Sequence, residues 1–261
     1  MNDQQKNRLD SILAFLDYTD FASIRELSIE LGVTEMTVRR DIQILKDSGI
    51  VRQLHGAVSK NPDYAESSLS KQNYSIMQTE SIKKQEKNRI GKEAARMIKP
   101  GNTIFIDIGT TAAALSRAIP FGSDITAICF SMNIFEELTK KKLSRIYLAG
   151  GFYHSDTQAF ESDEAVSSIK SIRANIAFIA PSGISMSIGI TAMTPYEARI
   201  KNSIIENTEK RILIADSSKF SEVNPCFVSF FDNINAVITD RSLSDEWIGF
   251  FKDKNIELHL C

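Results

Sequence analysis

Residues 31–57 read LGVTEMTVRRDIQILKDSGIVRQLHGA, and the placing of glycine, threonine and arginine in this run decides the nature of the amino-terminal part of the chain. Gly32 stops one helix, Val33 fills a short apolar turn, and Thr34 suits the N-cap of a second helix that runs to about Ser48 and ends at Gly49. At 100° per residue Val38, Ile42 and Leu45 share one face of that helix, while Met36, Arg39, Arg40 and Gln43 fan out on the other. One face packs and the other is cationic. Thr34 and Thr37 can bond a phosphate or a base edge, and so can Arg39 and Arg40.

Working outward, Ser23 and Glu26 form an S-x-x-E capping box that opens the helix ending at Leu31. Leu9, Ile12, Leu13 and Leu16 recur at helical spacing before it, up to the polar stretch Asp17–Asp20. Downstream, Ile50–Leu54 and Ala57–Val58 flank His55 and Gly56 as a small β-hairpin. A helix, a turn of three or four residues beginning with glycine, and a second helix is the spacing of a helix-turn-helix, whose second helix enters the major groove. A small helical cap with a solvated basic face is the alternative reading.

The whole chain has 261 residues, 31 Lys plus Arg against 33 Asp plus Glu, and a net charge of −2, so any attraction to nucleic acid must come from a local patch. No apolar run reaches the roughly 18 residues of a membrane span and the first residues lack an apolar leader core, which predicts a cytoplasmic protein without membrane contact. Cys129, Cys226 and Cys261 lie far apart with no CxxC spacing, and His55, His154 and His259 complete no metal-ligand pattern. We expect no disulfide framework, no metal and no cofactor, and structural or surface roles for the cysteines, His154 and His259.

Residues 59–80, with Asn61-Pro62 and Ser67-Ser68, read as a linker between a domain at 1–58 and a second at 81–261. The second opens with a helix striped by Ile90, Ala94, Met97 and Ile98, and Pro100-Gly101 ends it. Its basic side chains suit a solvated face. From Thr103 apolar strand-like runs alternate with helical ones: 103–108, 125–130, 144–148, 176–180, 211–215 and 236–239. Near-continuous apolar strands spaced by helices imply a mostly parallel α/β sheet covered on both faces, which binds ligands beyond its strand carboxyl ends.

Those ends are polar. Asp107-Ile108-Gly109-Thr110-Thr111 joins a strand to a helix, where glycine allows close approach and the helix start offers free amides to an anion. Neither a Walker pattern nor GxGxxG is present, so ATP and dinucleotides fit poorly. Ser131-Met132-Asn133 and Gly150-Gly151 end two further strands, and the three loops converge if those strands are neighbours. Asp216-Ser217-Ser218-Lys219 ends another, with Lys219 placed to neutralise an anion. Glu197 suits the first turn of a helix and Lys201 points from the next; both read equally well as structural. An isomerase or deaminase with an accessory amino-terminal domain is the rival, with Asp107, Glu197 or Asp216 as nominal bases and no task for the helix-turn-helix.

The run 31–57, followed by FIDIGTT, SMN, LAGG, FIAPSGIS, GIT, EARIK and ADSSKF, resembles the DeoR family of bacterial transcriptional regulators over about residues 8–258. The resemblance implies a winged helix-turn-helix followed by a Rossmann-like sugar-phosphate sensing domain of the kind shared with ribose-phosphate isomerases and glucosamine-phosphate deaminases. It implies a repressor of a sugar catabolic operon that leaves double-stranded operator DNA when a phosphorylated sugar binds; because one reading helix spans few base pairs, we expect a homo-oligomer, dimer or tetramer. By position, Thr34, Thr37, Arg39 and Arg40 match the reading helix, whose outward face also offers Met36 and Gln43 to DNA, and Arg52, His55 and Gly56 match the wing. Asp107, Gly109, Thr110, Thr111, Ser131, Asn133, Gly150, Gly151 and Lys219 match the effector loops. This chain departs from the family pattern at Thr34 for serine, Ala57 for the second wing glycine, Glu161-Ser162 for glycine after Phe160, and Asn175 for aspartate. Glu161 would repel a phosphate unless it meets an amine or hydroxyl, or faces solvent.

Overall fold

A computed structural model describes residues 8, 9, 11–13, 15, 16, 19, 21–47, 50–54, 57–60, 79 and 81–261. It divides into two units, Met1–Asn73 and Tyr74–Cys261. In the first, β1 (Ala22–Ser23) leads into α1 (Ile24–Glu30) and α2 (Glu35–Asp47), then β2 (Val51–Leu54) and β3 (Ala57–Lys60). The capping box forms as the sequence suggests: the Glu26 amide donates to Ser23 Oγ at 3.1 Å and the Ser23 amide to Glu26 at 2.7 Å. Val38, Ile42 and Leu45 are buried with Leu9, Ile12, Leu16, Leu27, Val51 and Val58. Each such side chain contributes about 1.5–3 kcal/mol, which ties α2 to the rest of the unit.

The three strands form an antiparallel sheet in the order β1-β3-β2. Ala57, where the family pattern has glycine, is the first residue of β3 and pairs with both Leu54 and Ser23, a position that an L-residue occupies without strain. His55 and Gly56, the expected wing turn, lie outside the described residues, as does most of the 59–80 segment. β3 itself runs to Lys60, two residues past the expected domain end at 58.

The second unit opens with α3 (Lys84–Arg96) and builds a seven-stranded sheet from β4 (Thr103–Ile106), β5 (Thr126–Cys129) and β6 (Arg145–Leu148), with α4 (Thr110–Ala118) and α5 (Met132–Thr139) between them. A hairpin, β7 (Phe152–His154) and β8 (Ala159–Glu161), and α6 (Asp163–Ser171) precede β9 (Ala174–Ile179). Then come β10 (Gly183–Ser185), β11 (Gly189–Ala192), α7 (Pro195–Glu206), β12 (Thr208–Ile214), β13 (Cys226–Ser229), β14 (Ala236–Thr239), α8 (Asp245–Asp253) and β15 (Glu257–Leu260). All neighbours in the order β15-β14-β12-β9-β4-β5-β6 are parallel. β10, β11 and β13 make a separate antiparallel sheet.

Side-chain alternation explains why the inner strands read as continuous apolar runs. Ile104 and Ile106 enter the core beneath α3, α4 and α5 with Ile90, Ala94, Leu115 and Ile134, whereas Phe105 faces Ile169, Ile200, Ile204 and Phe251 on the other side. The two outermost strands, β6 and β15, are only partly buried, as edges are. Asn175, another departure, accepts the Thr103 amide at 2.9 Å and joins β9 to β4. Chain order runs from β4 outward through β5 and β6, and from β9 outward the other way, so the topological switch lies between β4 and β9.

Candidate functional site

In the first unit the outward face of α2 carries Met36, Arg39, Arg40 and Gln43, all exposed, with half-buried Thr37. Thr34 caps the helix, accepting the Thr37 amide at 3.3 Å while its hydroxyl lies 3.0 Å from that of Thr37. Arg39 leans on Glu35 at 3.3 Å, and Gln43 donates to Asp47 at 2.6 Å. Exposed pairs of this kind are worth about 0–1 kcal/mol, so both side chains can be recruited. Arg40 has no side-chain partner among the described residues. Arg52 on β2 donates to Ser59 at 3.3 Å. Sequence reasoning missed Arg8, which donates to buried Asp41 on the packed side of α2 through two bonds of 2.8 and 3.2 Å, and the bond to Asp41 raises the pKa of the guanidinium. The partners are 33 residues apart, beyond any local pattern.

In the second unit the parallel sheet sends every strand-end loop to one edge. β4, β5 and β6 are neighbours, so the loops bearing Asp107–Thr111, Ser131–Asn133 and Gly150–Gly151 lie side by side. The loop bearing Lys219 ends β12, two strands from β4, about 10 Å away. Gly109, at φ 101° and ψ 174°, holds a conformation essentially closed to other residues and starts α4. Thr110 and Thr111 follow in its first turn and are largely buried.

Two expected binding residues also have clear internal duties. Asp107 is 1% exposed; Oδ1 accepts the Ile108 amide, and Oδ2 accepts the Ala180 amide at 2.8 Å and the Lys201 ammonium at 2.5 Å. Lys201 is equally buried and also donates to the Ala180 carbonyl at 3.0 Å. This pair pins the β4 and β9 loops across the switch point. Gly151 has φ +150°, and a Cβ there would lie 2.2 Å from the Glu161 carbonyl oxygen, so its lack of a side chain lets β8 close on the β6 loop. Gly150 is exposed and open.

The β7–β8 hairpin, not anticipated from sequence, runs beside the end of β5: the Phe160 amide donates to the Phe130 carbonyl and the Met132 amide to the Gln158 carbonyl, both at 2.8 Å. It reaches α7 through Thr157, whose hydroxyl is 2.8 Å from that of Tyr196, and through His154, stacked on the Tyr196 ring at 4.1 Å. Glu161 lies 2.9 Å from His154 Nε2, so its carboxylate has a partner within the hairpin.

Among the described residues, the buried side-chain oxygens without a hydrogen-bond partner are Ser131 Oγ, Asn133 Oδ1, Glu197 Oε1 and Thr239 Oγ1. Ser131 and Asn133 follow β5, Thr239 ends β14, and Glu197 stands in the first turn of α7, so all four belong to the same edge of the sheet. Buried polar groups are almost always bonded, so each exception calls for a cause, whether strain, a catalytic role, ordered water or a bound group. A cavity of about 360 Å³ at the opposite edge, by Arg173, Asn175, Glu206 and Glu209, holds none of the expected binding residues.

Burial pushes the Glu197 carboxyl up; Lys201 opposes this and Asp107 reinforces it, with Thr194 lowering and Asp156 raising it further. A carboxyl raised in the folded state stabilises the fold fully below its unfolded pKa, near 4.3, and that contribution is lost as pH rises through the folded value. Glu197→Gln, which cannot ionise, should therefore gain melting temperature over the parent as pH climbs from about 4 to 8. Parallel melting curves across that range would refute the assignment.

The description "DeoR-like helix-turn-helix domain" matches residues 8–62, and "DeoR C terminal sensor domain" matches residues 82–241. The chain is 29% identical over 258 residues to the deoxyribose operon repressor of Escherichia coli K12, covering 99% of each chain. It is 28% identical to the glycerol-3-phosphate regulon repressor of the same organism, covering 99% of this chain and 100% of that one, and 27% identical to the transcriptional regulator IolR of Bacillus subtilis 168, covering 92% of each. Among solved structures, ribose 5-phosphate isomerase A of Methanocaldococcus jannaschii is similar over 51% of this chain and 53% of that one, with 15% identity and a TM-score of 0.37. Both halves of the chain, each in its own place and order, make this protein a member of the DeoR family.

Proposed function

We propose that the protein is a repressor of a sugar catabolic operon: it holds operator DNA through the exposed face of α2 and releases it when a phosphorylated sugar binds at the carboxyl edge of the parallel sheet. The observation that carries this reading is the co-linear match of both domains to repressors along their whole length. Thr34, Met36, Thr37, Arg39, Arg40 and Gln43 would meet the major groove, with Arg52, His55 and Gly56 in the wing. The start of α4 at Gly109–Thr111, together with Lys219, would hold the phosphate; Asp107 would shape that loop, and Ser131, Asn133, Gly150 and Gly151 would line the rest. The working form would be a symmetric homo-oligomer, since one reading helix spans few base pairs.

The rival, a sugar-phosphate isomerase or deaminase, is disfavoured because both oxygens of Asp107, one of its nominal bases, are engaged by Lys201 and two amides, and because turnover needs no DNA-binding domain. No helix among the described residues is long and apolar enough to cross a membrane.

The deciding experiment is binding of the purified protein to its own promoter fragment at fixed salt, with and without a panel of phosphorylated sugars. Specific binding released by one compound is expected; no specific binding together with chemical conversion of a compound would favour the enzyme. Within that assay Arg40→Ala is expected to weaken operator affinity by about 10-fold or more and leave effector binding unchanged. Lys219→Ala should retain DNA binding and lose release. Release at the parent's effector concentration would remove Lys219 from the site.

A further inference from the structure

Glu197 is 2% exposed, and one of its oxygens has no partner among the described residues. It stands four positions before Lys201 on α7, within electrostatic reach of both Lys201 and Asp107 at the switch point. Lys201 is committed to Asp107 and the Ala180 carbonyl, and both oxygens of Asp107 are taken. Glu197 Oε1 is thus the carboxylate oxygen left without a partner at this corner of the sheet's carboxyl edge. One strand along, Asn133 Oδ1 is a second acceptor in the same condition.

A phosphate at neutral pH offers acceptors and negative charge, which satisfy neither Asn133 Oδ1 nor an ionised Glu197. Both call for a donor. On the proposed function, the anionic end of the ligand belongs with Lys219 and the amides of α4, and a different end must satisfy these two acceptors.

We infer that Glu197, with Asn133, is the specificity-determining acceptor pair of the effector pocket, taking hydrogen bonds from hydroxyl groups at the non-phosphorylated end of a sugar or polyol phosphate. The pocket then reads hydroxyl pattern separately from phosphate. A site built to bond a hydroxyl discriminates strongly against an analogue without it, because the analogue leaves a buried acceptor unpaired. Glu197 is held in surroundings that disfavour its charge, burial first, which a hydroxyl donor at its open oxygen would offset.

The test measures effector affinity by calorimetry, and operator release, for the full-length parent, Glu197→Gln and Glu197→Met. Probes are pentose and hexose phosphates, their deoxy and amino counterparts, and inorganic phosphate. Gln keeps an acceptor and Met removes it at similar volume. Glu197→Met should lose about 10–100-fold in affinity for the parent's tightest sugar phosphate, lose its discrimination between hydroxyl-bearing and deoxy compounds, and bind inorganic phosphate as the parent does. Glu197→Gln should fall between them. A loss of under 3-fold in Glu197→Met, or an equal loss for inorganic phosphate, overturns the inference. Preference of the parent for the amino compound over the hydroxyl compound also overturns it, because the partner would then be a cation. A parent that binds none of the compounds refutes the proposed function itself, whereas a responsive parent matched by its Met variant refutes only the role of Glu197.

Discussion

Lys201→Met is expected to destabilise the sensing unit by about 3–5 kcal/mol, because it strands the Asp107 carboxylate in a site only 1% exposed. Methionine nearly replaces the lysine volume, so the loss comes from electrostatics more than from a cavity. The amides of Ile108 and Ala180 still bond the carboxylate, and they keep the penalty from reaching that of an isolated buried charge. At about 2–4 °C per kcal/mol for a unit of this size, thermal unfolding should fall by roughly 10 °C. The Asp107→Asn/Lys201→Met double variant should recover a good part of that loss, since it removes both charges of a coupled pair. A single variant within 1 kcal/mol of the parent would show that the buried pair does not hold the two loops together.

Gly91→Ala is the second large effect. A Cβ at Gly91 on α3 would lie 2.5 Å from the Ala114 carbonyl carbon and 2.6 Å from the Leu115 nitrogen of α4, both backbone atoms that cannot rotate away. Alanine favours a helix over glycine by about 1 kcal/mol, so an exposed position would gain stability. Here the helices must part, and the contacts of Ile90 and Ala94 with Leu115 and Ala112 open with them. Overpacking of this kind costs about 1–3 kcal/mol, and net destabilisation despite the propensity gain is the expected sign. Gly150→Ala, whose Cβ meets nothing within 4 Å, should change stability by less than about 0.5 kcal/mol. Equal melting temperatures for the two variants would contradict the close helix approach.

These sites show how far local pattern reaches. The α2 faces and the inner strands were legible because burial on one face or on two leaves a periodic trace. The Ser131, Gly150 and Lys219 loops were legible because polar residues interrupt those traces at strand ends. β7 and β8, each three residues long, and the sheet of β10, β11 and β13 left no such trace, since their strands pair outside the main sheet. Glu197 and Lys201 could be seen as neighbours on a helix. The partner that gives Lys201 its meaning, Asp107, is 94 residues away, and only the folded sheet brings it there. Glu161 was legible as a departure from the family, but its pairing with His154 depends on a hairpin that the sequence pattern does not announce.

Lys83, the residue before α3, sits in the left-handed region at φ 49° and donates to Ser217 Oγ at 2.7 Å. Ser217 is anchored in turn: its amide donates to Asp240 at 2.6 Å. Burial works against the Asp240 charge, but the Ser217 and Ser242 amides outweigh it and hold the carboxyl below its ordinary range. Just before α3 the chain is thus fastened to the very loop that carries Lys219. Thermodynamic linkage makes any coupling between two binding sites work in both directions. If a ligand at Lys219 alters the grip of the protein on its operator by some factor, the operator alters the grip on the ligand by the same factor. Protein seated on DNA would then need more ligand to respond than protein free in solution, and the threshold of induction would belong to the occupied operator.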